Sequence, residues 1–346
     1  VAKIKVFIVD DSALMRQLLT DILRNDSQIE VVGSASDPYS AWDKLKVVTA
    51  DVVTLDVEMP RMDGLTFLER LMARRPLPVV MVSSLTEQSC ETTIRALELG
   101  AVDFVTKPKL DVMTGTISLA DELVSKVKIA ARARVHPRVA KPTVVSAKAA
   151  FNSVRTTHKV IAIGASTGGC EALVEVLGAL PADSPAVVAA IHMPEGFTKS
   201  FAARLDKHCA IRVSEARNGD RVVPGHALIA PGNFHLEVVR SGAMTNVRVR
   251  SGDVVNRHRP SIDVMFQSCA KELGMNAVGA ILTGMGDDGA RGLLAMRQAG
   301  AKTVAQDENS CVVFGMPKEA IAMGAAEQVL PLDRIANFVL RAAAVA

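Results

Sequence analysis

Five short apolar runs punctuate the first third of the chain, at residues 4–9, 29–33, 52–55, 79–82 and 102–105, with helix-like stretches between them. Short apolar strands alternating with helices predict a parallel sheet covered on both faces and wound by right-handed crossovers. The second half repeats the pattern. Apolar runs at 160–163, 186–191, 277–282 and 303–306 are interspersed with helical patterns at 170–180, 261–273, 314–323 and 332–344, and a further helix ends at residue 300. Residues 227–229, 236–240 and 247–250 read as short strands joined by turns and predict an antiparallel addition at a sheet edge. The fold class is therefore α/β, with two domains, each a doubly wound, mostly parallel sheet.

A chain of 346 residues is long enough for two such cores. The two patterns are separated by a stretch of different composition. Between Leu123 and Cys170 there are nine lysines and arginines and no acidic residue, together with Pro137 and Pro142. The net charge of +3 thus belongs to this segment, and the rest of the chain is net acidic. The boundaries expected are a first domain at 1–125, a basic linker at 126–158 and a second domain at 159–346. Helical periodicity continues into the linker and then lapses.

No apolar run approaches the ~20 residues that a membrane span requires, and the first residues form a charged strand pattern rather than a secretory leader. The five cysteines are widely spaced and lack C-x-x-C pairs, which suits a reducing compartment. A cytoplasmic protein without direct membrane insertion is expected.

In the first domain, polar residues stand just past the carboxyl ends of the apolar runs: Asp10 and Asp11, then Asp56, Ser83 and Lys107. In a doubly wound sheet these ends share one edge, where ligands bind. With strand order 2-1-3-4-5 the three aspartates converge and repel unless a cation intervenes, and oxygen-only ligands suit Mg²⁺. Any one aspartate could instead cap a helix; five positions in register argue for a site. The segments IVDDS (8–12), LDVEMPRMDG (55–64), VSS (82–84) and DFVTKP (103–108) resemble the response-regulator receiver family, whose fold is flavodoxin-like. That resemblance implies Asp56 as phosphoacceptor. It implies Mg²⁺ held by Asp10, Asp11, Asp56 and the Glu58 backbone carbonyl, with Ser83, Phe104 and Lys107 as the switch residues.

The second domain opens on KVIAIGASTGG (159–169), in which a buried run ends at Gly164 and Ser166 stands at G-x-S-x-G spacing before a helix. Such a turn lifts a hydroxyl above the sheet edge, although a serine there can also cap the helix. His192 ends the next apolar run and is the first candidate base; His235 and His258 are its rivals. An aspartate, Asp287 or Asp288, follows the run at 277–282. Serine, histidine and aspartate at three strand ends form a candidate hydrolytic triad. Their chain order differs from that of the α/β-hydrolases, so the G-x-S-x-G match alone does not place the domain there.

Residues 284–289 also satisfy G-x-G-x-x-G, a dinucleotide-binding pattern. Two carboxylates at the point where a pyrophosphate would sit argue against it. A receiver-controlled transcription factor would need a basic recognition helix, and the pattern supplies none. No nucleic-acid partner is expected.

The segments IAIGASTGG (161–169), IHMP (191–194), APGNFHL (230–236), NRHRPSID (256–263), LTGMGDDGA (282–290) and QDENSCVVFGMP (306–317) resemble the bacterial chemotaxis protein-glutamate methylesterase (CheB) family. The resemblance implies a Rossmann-like serine hydrolase domain with Ser166 as nucleophile, His192 as base and Asp288 as orienting acid. The backbone amides of Thr167 and Met285 are the expected oxyanion donors. It implies removal of glutamate γ-methyl esters from chemoreceptors with release of methanol, deamidation of receptor glutamines, and activation by phosphorylation. The implied partners are a chemotaxis histidine kinase as phosphoryl donor and methylated chemoreceptors as substrate. Mg²⁺ serves the receiver, and ester hydrolysis is expected to need no cofactor. The protein is expected to be a monomer.

Overall fold

The computed structural model describes residues 2–59, 62–107, 113–135 and 159–344, which form two compact units. The first unit contains β1 (Ile4–Val9), α1 (Ala13–Arg24), β2 (Ile29–Ala35), α2 (Pro38–Val47), β3 (Val52–Asp56), α3 (Gly64–Arg74), β4 (Val79–Ser83), α4 (Glu87–Glu98), β5 (Asp103–Thr106) and α5 (Met113–Ala130). Its five strands are all parallel in the order β2-β1-β3-β4-β5. Val6, Phe7, Ile8 and Val9 of β1, and every residue of β3 and β4, are buried. Strands buried on both faces explain why their sequences are unbroken apolar runs rather than alternating ones.

Helix starts follow local chemistry. Ser12 caps α1 through the Met15 N–H. Asp37 caps α2 ahead of Pro38, and Asp63 accepts from the Thr66 N–H at 2.7 Å to cap α3. Helix α5 continues to Ala130, five residues into the expected linker. Residues 136–158, which make up most of that linker, lie outside the described residues.

The second unit contains β6 (Val160–Ala165), α6 (Gly169–Gly178), β7 (Ala186–Ile191), α7 (Phe197–His208), β8 (Arg212–Glu215), β9 (His226–Ile229), β10 (His235–Ser241), β11 (Met244–Arg250), α8 (Ile262–Leu273), β12 (Ala277–Ile281), α9 (Ala290–Gln298), β13 (Lys302–Gln306), α10 (Met316–Ala322), β14 (Gln328–Leu330) and α11 (Leu332–Ala344). Seven strands form one parallel sheet in the order β14-β13-β12-β6-β7-β9-β8. From β6 the chain winds first toward β7 and later toward β12, so the carboxyl end of β6 is a topological switch point.

The expected antiparallel edge is corrected. Strand β9 joins the main sheet in parallel, whereas β10 and β11 form a separate antiparallel pair. The outward N–H groups of β10 explain why the pair needs no sheet neighbour. The Val238 N–H donates to the Ser268 hydroxyl at 2.8 Å and the Arg240 N–H to Glu272 at 3.3 Å, both on α8. Leu236, Val238 and Val247 are buried together with Met265, Phe266 and Cys269 of α8 in one core cluster. The sheet edges belong instead to β8 and β14, short and partly exposed segments without a long apolar run to announce them.

Gly64 sets a tight constraint in the first unit, because a Cβ there would lie 2.2 Å from the Asp56 carbonyl oxygen. At Gly178, in contrast, a Cβ meets nothing within 4 Å. Gly64→Ala is expected to destabilise the first unit by about 1–3 kcal/mol, and Gly178→Ala to be neutral or mildly stabilising. Thermal unfolding of the full chain, followed by near-UV circular dichroism, distinguishes the two; equal melting profiles would contradict the packing at Asp56.

Candidate active site and candidate phosphorylation site

Ser166, His192 and Asp288 follow β6, β7 and β12, the central strand and its two neighbours. Parallel pairing therefore delivers all three to one edge. His192 Nδ1 lies 3.0 Å from Ser166 Oγ, and His192 Nε2 lies 2.8 Å from Asp288 Oδ2. An ionised carboxylate only accepts hydrogen bonds, so Nε2 carries the proton and Nδ1 faces the serine hydroxyl as an acceptor. The ring of His258 stacks on that of His192, with centroids 3.6 Å apart and planes within 8°.

Ser166 is not a helix cap, since Gly168 occupies the N-cap of α6 and the Gly169 N–H bonds to the Ser166 carbonyl. The flanking glycines answer to close packing as well as to the turn. A Cβ on Gly164 would lie 2.3 Å from Ile262 Cγ2, and one on Gly168, where φ is +77°, would lie 2.6 Å from Val312 Cβ. The Ser166 N–H donates to the Thr283 carbonyl at 3.0 Å. Thr167 follows the serine directly. Met285 follows Gly284, whose substitution by alanine would bring a Cβ within 2.7 Å of Ser166 Cβ. Both expected oxyanion positions thus lie on loops that flank the serine.

Asp288 is 1% exposed and fully engaged. Its Oδ1 accepts from Asn256 Nδ2 (2.7 Å), Ser261 Oγ (2.7 Å) and the Asp263 N–H (3.3 Å). Its Oδ2 accepts from the Ile262 N–H (2.7 Å) as well as from His192. The carboxylate therefore sits on the positive end of α8. Burial by itself would raise the carboxyl; the hydrogen bonds from His192, Asn256 and the Ile262 N–H outweigh it and hold Asp288 well below the ordinary value of 3.8. The adjacent Asp287 points outward and lies 3.6 Å from Arg291, its side chain 59% exposed. Of the two aspartates, the structure brings Asp288 alone to His192.

His235 is placed elsewhere. It is buried, with Nε2 on the Asp253 carbonyl at 2.8 Å and Nδ1 accepting from the Ser261 N–H at 3.2 Å, and so braces the start of α8. Asn256 and Ser261, which no motif-based reading singled out, were visible only as part of the segment 256–263. Their role depends on a loop crossing to β12, which no local pattern encodes. The G-x-G-x-x-G loop is consumed in structure: the Gly284 amide and carbonyl pair with residues 313, 315 and 316, and Gly289 begins α9.

In the first unit, carboxylate oxygens of Asp10, Asp11 and Asp56 lie within 4.8 Å of one another. Asp10 Oδ1 accepts from the Ser12 N–H at 2.9 Å and Asp56 Oδ1 from the Glu58 N–H at 3.3 Å. Lys107 Nζ stands 2.8 Å from Asp56 Oδ2 and 3.3 Å from Asp10 Oδ2 as a charge contact, yet neither oxygen accepts an aligned hydrogen bond. Burial pushes the Asp56 carboxyl up to about 6 against the pull of Lys107, and raises Asp10 likewise. Three clustered carboxylates with two such oxygens fit a hard divalent cation such as Mg²⁺.

Ser83 ends β4, on the sheet edge that carries Asp56. Its hydroxyl accepts from Thr93 Oγ1 at 2.6 Å, within a network that runs into α4. Phe104 is buried, with Lys126 Nζ 5.0 Å from its ring centroid. Among the described residues, no helix is long and apolar enough to cross a membrane.

A family model described as CheB methylesterase matches residues 161–339, and one described as response regulator receiver domain matches residues 6–117. The protein-glutamate methylesterase/protein-glutamine glutaminase of Salmonella typhimurium (strain LT2) is 57% identical over 341 residues, spanning 98% of this chain and 97% of that protein. Protein-glutamate methylesterase/protein-glutamine glutaminase 2 of Pseudomonas aeruginosa (strain PAO1) is likewise 57% identical over 341 residues, spanning 99% and 97%. Among solved structures, the Thermotoga maritima CheB methylesterase catalytic domain is similar with a TM-score of 0.52 and 38% identity, covering 53% of this chain and 97% of that one.

The depressed Asp288 carboxyl has a consequence for stability. Because its value is lower in the folded chain than the ordinary 3.8, its stabilisation is complete above about pH 4 and fades as the pH falls toward the folded value. The stability difference between wild type and Asp288→Asn is expected to shrink between pH 6 and pH 3, as read from urea midpoints of the catalytic unit's transition. A difference independent of pH would contradict an ionised Asp288.

Proposed function

The chain belongs to the CheB methylesterase family, with a response-regulator receiver domain ahead of the esterase, and on that premise we propose that Ser166, His192 and Asp288 are its catalytic triad. The protein is a phosphorylation-regulated protein-glutamate methylesterase and protein-glutamine glutaminase of chemotactic adaptation. The observation that supports the triad most directly is the unbroken contact chain from Ser166 Oγ through His192 to the buried Asp288.

Ser166 Oγ attacks the γ-carbonyl carbon of a glutamyl methyl ester while His192 Nδ1 takes its proton. Asp288 holds the ring in the competent tautomer and offsets the imidazolium charge. The Thr167 and Met285 amides face the developing oxyanion; the Ser166 N–H is already committed to Thr283. Collapse of the tetrahedral adduct breaks the ester C–O bond, and the proton on His192 leaves with methanol. Water, deprotonated by His192, then cleaves the acyl-serine bond and frees the glutamate carboxylate. A glutamine side chain follows the same path and releases ammonia. None of these steps calls for a cofactor.

In the receiver, a carboxylate oxygen of Asp56 attacks the phosphorus of a phosphohistidine on a chemotaxis histidine kinase, and the N–P bond breaks. Asp10, Asp11, Asp56 and the Glu58 carbonyl would hold Mg²⁺, which would supply positive charge to offset that on the transferring group. Lys107 supplies a second positive charge, and Ser83 and Phe104 reorganise once the phosphoryl group is attached. Ser83 then turns its hydroxyl proton from the Ser84 and Ser89 carbonyls to a phosphoryl oxygen. Residues 1–125 serve as receiver, 126–158 as linker and 159–346 as catalytic domain. The substrate is a methylated chemoreceptor, and the enzyme acts from the cytoplasm as a monomer, with no nucleic-acid partner and no insertion into the membrane.

Methanol release from methylated receptor membranes tests both halves. Ser166→Ala is expected to reduce the rate on the order of 10⁶-fold, to background. Asp56→Asn is expected to retain basal activity and lose its stimulation by a small phosphodonor with Mg²⁺. Activity surviving Ser166→Ala, or stimulation surviving Asp56→Asn, would overturn the corresponding assignment.

A further inference from the structure

Beside the triad lies a second buried carboxylate. Asp263, in the first turn of α8, is 1% exposed. It accepts from the Gly292 N–H at 2.6 Å and lies 3.4 Å from Arg291 Nε. Two carboxylates side by side in a dry interior compete for donors and repel each other. One side chain bridges them. Asn256 Nδ2 donates to Asp288 Oδ1 at 2.7 Å and to Asp263 Oδ2 at 2.8 Å, using both amide hydrogens. Its carbonyl oxygen accepts from Arg291. The amide can be oriented in only one way, because Arg291 has donors alone and the carboxylates have acceptors alone.

The backbone agrees with this placement. Asn256 has φ of +51°, in the left-handed region that asparagine tolerates better than most residues. The loop therefore accepts a conformational cost at the residue that must turn its amide inward.

We propose that Asn256 is a positioning residue for the esterase reaction, its amide holding Asp288 Oδ1 so that Oδ2 stays directed at His192 while keeping Asp263 from displacing it, with Arg291 fixing the amide's orientation. This rests on the triad reading above. Asn256 touches neither substrate nor the reacting atoms; it acts through Asp288. A misdirected Asp288 no longer secures the His192 tautomer, so the loss falls on the chemical step rather than on binding. Ser261 and the α8 amides also hold Asp288, but none of them reaches both carboxylates.

Three substitutions in the full chain, assayed with methylated receptor membranes, decide the matter. Asn256→Asp keeps size and tolerates the left-handed backbone, yet puts an acceptor where the donor stood. If Asn256 only fills space, Asn256→Asp keeps wild-type activity and Asn256→Ala does not. If it positions Asp288, both lose kcat by roughly tenfold to a hundredfold, with KM within about twofold of wild type. Arg291→Gln, at a half-exposed side chain, tests the orienting role without a core change; a severalfold fall in kcat at unchanged melting temperature is expected. Wild-type kcat for Asn256→Asp and Arg291→Gln, alongside an inert Ser166→Ala, would overturn this inference alone. An active Ser166→Ala would overturn the triad and this inference with it.

Discussion

A carboxylate can stay ionised inside a protein only if donors meet it on every side, and the catalytic unit is arranged around meeting that requirement at Asp288. Five donors reach it: His192, Asn256, Ser261 and the first two amides of α8. Each comes from a different part of the chain or depends on one that does. Helix α8 must end against the sheet, which it can do because Gly164 leaves room for Ile262. His235 bonds to the Ser261 N–H at the start of the same helix. The β10–β11 pair, tied to the outer side of α8 through Ser268 and Glu272, backs the helix. The separate hairpin is thus part of the support for the acid, two layers removed.

The receiver faces the same physical problem and solves it differently. Asp10 and Asp56 are buried side by side, and among the described residues Lys107 is the cation that pairs with their carboxylates. Oxygens remain there that accept no aligned hydrogen bond, and burial carries Asp56 up to about 6. Asp288 is instead saturated by donors and pushed down. A carboxylate saturated with donors holds a fixed orientation, as a triad acid must. One left with open oxygens can take a cation and a phosphoryl group. The contrast in donor count matches the contrast in the tasks proposed for them.

Much of this was legible in the residues themselves. Strands buried on both faces must be apolar throughout, so β1, β3, β4, β6, β7 and β12 stand out as unbroken runs, and the polar residues that end them mark the functional edge. Given the strand order 2-1-3-4-5 assumed for a doubly wound sheet, the convergence of Asp10, Asp11 and Asp56 followed. Edge strands are different. Arg212–Glu215 and Gln328–Leu330 are half-solvated and carry no apolar run, and helix Phe197–His208 interleaves its buried positions with lysine, arginine and histidine. The hairpin was recognised as two strands but assigned to an edge, because alternation reports which face is buried and not what buries it.

The sequence by itself determined the fold class, the two parallel sheets and the three strand ends from which Ser166, His192 and an aspartate emerge. Periodicity and turn chemistry are local, and those features are written within a few residues. Only the tertiary structure decided between Asp287 and Asp288, which are adjacent in the chain yet face opposite environments, one toward solvent and Arg291, the other toward His192. It also placed the ring of His258 against that of His192, and Asn256 between two carboxylates. These depend on Asp288 meeting Asn256 and His192, 32 and 96 residues away in the chain, at distances set by packing, and no local pattern carries that information.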